Sequence, residues 1–134
     1  MISDQIPSAF NDLLQDEARA FAYLATMMKD NTPQVTPVWF NTDGKFILIN
    51  SAQGRIKDKN MRARPHVALA IQDPNNPYRY LQIRGTVISI SSEGGREHIN
   101  ALSLKYTGNP KYAGPADEIR IIYKIQPSKI HVHG

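Results

Sequence analysis

The sequence predicts a mainly β fold, an antiparallel sheet or barrel of about six strands with three helices beside it. Runs rich in β-branched and aromatic residues recur along the chain, among them QVTPVWF, KFILIN, HVALAI and YRYLQIRGTVISI. Most of them are joined by loops of hairpin length. Such loops connect antiparallel neighbours, whereas parallel strands need a long crossover.

Pro7 and Ser8 open a helical segment with Phe10, Leu13 and Leu14 on one apolar face, ending near Glu17 to Arg19. FAYLATMMKD then reads as a strand closed by the turn Asn31-Thr32-Pro33. QVTPVWF and KFILIN flank Asn41-Thr42-Asp43-Gly44, a hairpin signal. Pro37 forfeits a ladder hydrogen bond, which marks an edge, a bulge, or backbone facing something other than a strand. GRIKDKNMRARP (54–65) follows as a helix that runs to Arg64 and is stopped by Pro65. HVALAI is a short strand and DPNNP a loop. YRYLQIRGTVISI is a long alternating strand with Gly85 at a bulge or kink. A further helix runs from about Glu93 to Tyr106 and ends at Thr107-Gly108-Asn109-Pro110. EIRIIYKIQPSKIHVHG supplies one or two closing strands. No repeat, low-complexity tract or linker divides the chain, so residues 1–134 read as one domain.

Composition narrows the function. The net charge of +4 is modest, and five of the sixteen Lys and Arg lie in the segment 54–65. A nucleic-acid binder would spread its positive charge more widely, so no nucleic-acid partner is expected. With no cysteine, disulfides, thiolate chemistry and cysteine-held metals are excluded. The opening MISDQIPSAFNDLL is not a signal peptide, and no apolar run is long enough to span a membrane. A soluble, cytoplasmic protein is the expectation.

The basic segment carries the chemistry that can be read. If a helix starts near Arg55, the N–H groups of its first turn lack internal partners and favour an anion. Arg55 adds a planar fork, Lys57 a mobile charge, and Asn60, a turn further on, an amide donor. Cations at a helix start oppose the macrodipole unless an anion is present. Two alternatives stay open on these residues alone: a phosphate cradle, or a solvated face with Asp58 partnering neighbouring cations. No Walker loop or G-x-G-x-x-G is present. His131 and His133 share a strand face but have no third ligand at a recognisable spacing, so no metal site is expected. No catalytic residue can be named. If the protein is an enzyme, a bound cofactor carries its chemistry. Trp39, Phe40, Tyr78 and Tyr80 read mainly as core, with Tyr78 alternatively covering a planar ligand from a neighbouring subunit.

PQVTPVWF, the R-x-K-x-x-N of RIKDKN, RPHVALAIQDPNNPYRYLQIRG, KYTG and the closing IQPSKIHVHG together cover nearly the whole chain. In order and spacing the sequence resembles the pyridoxamine 5'-phosphate oxidase-like split-barrel family that binds FMN or the deazaflavin F420. It is especially similar to the short deazaflavin-dependent branch, which carries D-P-x-N-P-Y-R-Y before its long strand. The resemblance implies a six-stranded antiparallel split barrel that forms a homodimer, with cofactor sites at the subunit interface. It implies that Arg55 and Lys57 hold the cofactor phosphate, that Asn60 supports them, and that Gln34, Val35, Thr36 and Pro37 lie beside the ring system. Asn50 and Ser51 should also be close to the cofactor. The implied function is F420-dependent hydride transfer to a small unsaturated substrate. The alternatives are an FMN-dependent oxidoreductase or flavin reductase, and a non-catalytic flavin- or haem-binding split barrel.

Overall fold

Alternation along each strand sorts the side chains into two faces, and the inward face makes the core. In the computed structural model, which describes residues 1–134, the strands are β1 (Ala22–Met27), β2 (Pro33–Val38), β3 (Phe40–Thr42), β4 (Ile47–Ala52), β5 (His66–Asp73), β6 (Asn76–Ser91) and β7 (Arg120–His133). They form one antiparallel sheet in the order β2-β1-β5-β6-β7-β4-β3. β2 and β3 stand at opposite ends of that order, yet only Trp39 separates them in sequence. The sheet therefore curls until its two edges meet at this residue, as a split barrel requires.

The expected six strands become seven at the same place. QVTPVWF reads as one strand, but its first part pairs with β1 and Phe40 pairs with Ile49 of β4. The sequence shows the apolar run and not the change of partner inside it.

A cluster of 22 buried residues fills the interior. Leu24, Leu69, Ile71, Leu81, Ile83, Ile47, Ile49, Tyr123 and Ile125 are almost wholly enclosed, each aliphatic side chain contributing about 1.5–3 kcal/mol. The outward face of β1, β2 and β5 is also largely apolar. Tyr23 pairs with Pro37 and Ala70, and Ala25 with Val35 and Ala68, leaving Val35 64% exposed.

The first helix is corrected. In place of one helix to Arg19, the chain forms short 3₁₀ turns at Ser8–Leu14 and Asp16–Ala18, interrupted by extended Gln15 and closed by left-handed Arg19. Phe10, Leu13 and Leu14 are still buried, because residues three apart share a face in either helix type. Arg79 anchors this segment through Asp12 at 2.6 Å and the Ala9 carbonyl at 2.7 Å, and it also pairs with Asp73.

Helices α1 (Ile56–Ala63) and α2 (Gly95–Thr107) form where expected. β7 is a single closing strand, and the ladder slips at Gly85, opposite Pro127, as the predicted bulge. Gly95 lets α2 lie against β7, since a Cβ there would sit 1.9 Å from the Arg120 carbonyl oxygen. Gly95→Ala is expected to cost at least about 1–3 kcal/mol, read from the urea midpoint, because backbone must move. An unchanged midpoint would show that α2 is not held by this contact.

Candidate anion-binding cleft

The chain leaves β4 at Ala52, turns through Gly54 and enters α1 with Arg55 as the extended N-cap residue. Two buried polar residues fix the helix. The Asp58 carboxylate accepts from the Gly54 N–H (2.9 Å), from Arg62 Nε (2.9 Å) and from the Tyr123 hydroxyl. Burial works to raise its pKa, but these hydrogen bonds outweigh burial and hold it below the usual carboxylate range. Asn60 donates to Thr26 and accepts from Arg64, tying α1 to the end of β1. Asp58 is therefore committed to Arg62 and the protein interior, and makes no ion pair with Arg55 or Lys57.

Arg55 and Lys57 reach a cleft of about 420 Å³. Phe21, Pro37, Val38, Trp39, Ile99 and Tyr112 form its apolar walls, and Asn50 and Arg120 complete the lining. This lies within the range of about 300–1,000 Å³ common to small-molecule sites. Trp39 stacks on Tyr106, which also stacks on Phe21, so the aromatic wall is braced from behind. Lys105 and Tyr106, from the KYTG segment, fasten the crossover by donating to the Phe40 and Ala20 carbonyls.

Two of the three cations in this lining share one carboxylate. Glu118 accepts from Arg55 at 3.0 Å and from Arg120 at 3.1 Å. Lys57 makes no ion pair; burial, and then repulsion from Arg55 and Arg120, lower its pKa. The cleft thus carries a surplus of positive charge between apolar walls. An oxyanion entering it would meet directional donors in a partly dry setting, where they are strongest.

Arg120 escapes sequence reasoning. The only trace of it is an arginine opening the apolar run RIIY. It is 6% exposed, lies over the Tyr112 ring, and donates from Nε to Asn50 Oδ1 at 2.8 Å. Asn50 in turn contacts the Gly95 carbonyl and His98 Nδ1, each at 3.0 Å, and His98 Nε2 meets Asn41 Oδ1 at 2.8 Å. Burial, and secondarily Arg120, push the His98 pKa down to about 4.

This shift has a definite sign. A histidine depressed from 6.5 stabilises the fold fully above its unfolded pKa and loses that contribution as pH falls toward 4. About 3 kcal/mol is expected to be lost across that window, measured by denaturant melts at several pH values. A His98→Asn variant should show a flatter profile.

Of the sequence-proposed site residues, Pro37, Asn50, Arg55 and Lys57 line the cleft together. Gln34, Val35 and Thr36 precede Pro37 on β2 without lining it, and Val35 faces outward. Ser51 lies on the opposite face of β4 from Asn50, and its hydroxyl is buried without a partner. Asn60 buttresses α1. Tyr78 stands outside the lining, 77% exposed at the start of β6.

The sequence profile of the pyridoxamine 5'-phosphate oxidase family matches residues 6–134. The chain belongs to that family. No curated protein sequence matches it significantly. Among solved structures, this pyridoxamine 5'-phosphate oxidase family member is similar to an F420 reductase, with 35% identity, a TM-score of 0.83, and 94% of this chain and 98% of the other covered. It also shares its fold with a putative pyridoxamine 5'-phosphate oxidase from Listeria innocua, at 21% identity and TM-score 0.70, covering 93% and 95% of the two chains. A conserved hypothetical protein from Mycobacterium tuberculosis has the same fold at 20% identity and TM-score 0.73, covering 96% and 84%. No helix of the family member is long and apolar enough to cross a membrane.

Proposed function

We propose that the protein is an F420-dependent oxidoreductase acting on a small unsaturated substrate. The observation that carries this reading is the cation surplus of Arg55, Lys57 and Arg120 beside apolar cleft walls. The donor set fits a cofactor that joins a planar ring to a phosphate. The similarity to an F420 reductase favours F420, with FMN as the alternative within the family.

Arg55 and Lys57 would hold the phosphate, Arg55 as a planar donor fork and Lys57 as a point charge. Asn60 and Asp58 fix the helix that carries them. Pro37, Val38, Trp39 and Ile99 keep water from the ring, and the backbone from Gln34 through Thr36 runs on from Pro37. Asn50 lines the cleft from β4, and Ser51 follows it on the opposite face of that strand. When bound, reduced F420 supplies a hydride, and the protein contributes orientation and a dry setting.

The active form in this proposal is a homodimer. Its support is the apolar outer face of Tyr23, Ala25, Val35, Pro37, Ala68 and Ala70, in which Pro37 also borders the cleft. A second copy seated there would reach the site, with Tyr78 as a residue it could contribute.

Fluorescence titration of the apo-protein with F420 and, separately, FMN tests the reading, followed by turnover assays with reduced cofactor. Tight F420 binding with hydride transfer to an acceptor supports it. Binding of FMN alone moves the protein to the flavin alternative, and binding of neither removes the proposal.

A further inference from the structure

We infer that Arg120 is a third oxyanion-binding residue of the cleft, held in that role by Asn50 and His98. This deepens the proposed function and rests on it. Arg120 is 6% exposed, yet only two of its three guanidinium nitrogens have protein partners. Nη2 donates to no protein group, and it is not among the sealed, unpartnered polar atoms. Because Arg120 lines the cleft, that nitrogen is left for a ligand. Its one acidic partner, Glu118, is shared with Arg55. A guanidinium enclosed to this degree is costly unless further anionic or polar partners meet it.

The hydrogen bonds behind Arg120 run in one direction. A guanidinium only donates, so the Asn50 atom facing Nε is its oxygen. The Asn50 amide nitrogen then faces the Gly95 carbonyl and His98 Nδ1 and donates to both. His98 Nδ1 is therefore the acceptor, and Nε2 carries the proton and donates it to Asn41 Oδ1. Elements β3, β4, α2 and β7 each contribute one link to this chain. The sequence separation is large: Arg120 is 70 residues from Asn50, and His98 is 57 from Asn41. Removing the Nδ1 acceptor would release Asn50 to rotate, and Arg120 would lose the contact that orients Nη2. His98 is thus a positioning residue, and Arg120 is the group that meets the oxyanion.

The oxyanion is either the cofactor phosphate or a carboxylate on the substrate. Three probes separate them: F420, a phosphate-free deazaflavin, and benzoate added to the F420-loaded protein. If Arg120 reads the phosphate, Arg120→Gln binds F420 about 10- to 100-fold more weakly, while the phosphate-free deazaflavin binds both proteins alike. If it reads a substrate carboxylate, F420 affinity is unchanged and benzoate binding is lost. Either pattern supports the inference and names the source. A folded Arg120→Gln protein that binds all three probes like the wild type overturns it.

Two further measurements stand apart from the variant's folding and from the cofactor assignment. In the wild type, addition of inorganic phosphate should move the Arg120 side-chain NMR signal, whether or not F420 or FMN binds; an unmoved signal overturns the inference. For His98, His98→Leu should weaken oxyanion binding, and His98→Asn, which restores an acceptor near Nδ1, should recover it. Loss of thermal stability in His98→Leu with unchanged affinity would overturn the positioning role.

Discussion

Replacing both Arg55 and Lys57 with alanine is expected to weaken F420 binding by about 10²- to 10⁴-fold while leaving the protein folded. Each charge-assisted contact to a phosphate contributes roughly 1.5–3 kcal/mol, and a tenfold change in affinity is about 1.4 kcal/mol. The fold should tolerate the change. Lys57 has no ion-pair partner, and the Arg55–Glu118 pair is half-exposed on the arginine side, so its loss should cost no more than about 1 kcal/mol. Fluorescence titration at fixed ionic strength measures the effect, with a denaturant melt beside it. Near-normal titration by a folded double variant would remove the phosphate assignment from α1.

The second large effect concerns stability. Asp58→Ala is expected to destabilise the protein by about 3–5 kcal/mol, a large part of the roughly 5–15 kcal/mol a typical domain possesses. The carboxylate is buried and satisfies the Gly54 N–H, Arg62 and the Tyr123 hydroxyl together. Alanine would leave the Tyr123 hydroxyl enclosed without its acceptor and free the first turn of α1. Because the Asp58 pKa is depressed in the folded state, its contribution is present above the unfolded carboxyl pKa and is lost as pH falls through the folded value. A urea midpoint within about 1 kcal/mol of wild type would show that α1 is held mainly by Asn60 and packing.

What the sequence shows and what it hides divide along a physical line. Strand and helix positions are legible because alternation, Gly108 and Pro65 act locally. Gly85 announces its bulge for the same reason. The identity of R-x-K as a phosphate cradle is legible only by resemblance, since charge alone fits a solvated helix equally well. The commitment of Asp58 depends on Tyr123, 65 residues away. Arg120 joins the cleft, with His98 and Asn41 linked behind it through Asn50, by a sheet order that brings β3, β4 and β7 side by side. No local pattern carries that order. The division of QVTPVWF at Trp39 is hidden in the same way, because both halves are equally apolar and only their partners differ.

That sheet order also bears on how the molecule comes into being. β7 follows every other strand in the chain, yet in the sheet it lies between β6 and β4. The β1–β2 and β3–β4 hairpins pair neighbours in sequence and can form while the chain is still emerging from a ribosome. The β4–β7 pairing must bring together Ile47 and Ile125, with all the intervening chain as a loop, which is entropically slow. Arg120 arrives with that same strand. The sheet and the cleft therefore both depend on β7, and a nascent chain lacking it has neither a continuous sheet nor the full set of cations with which to capture an anion.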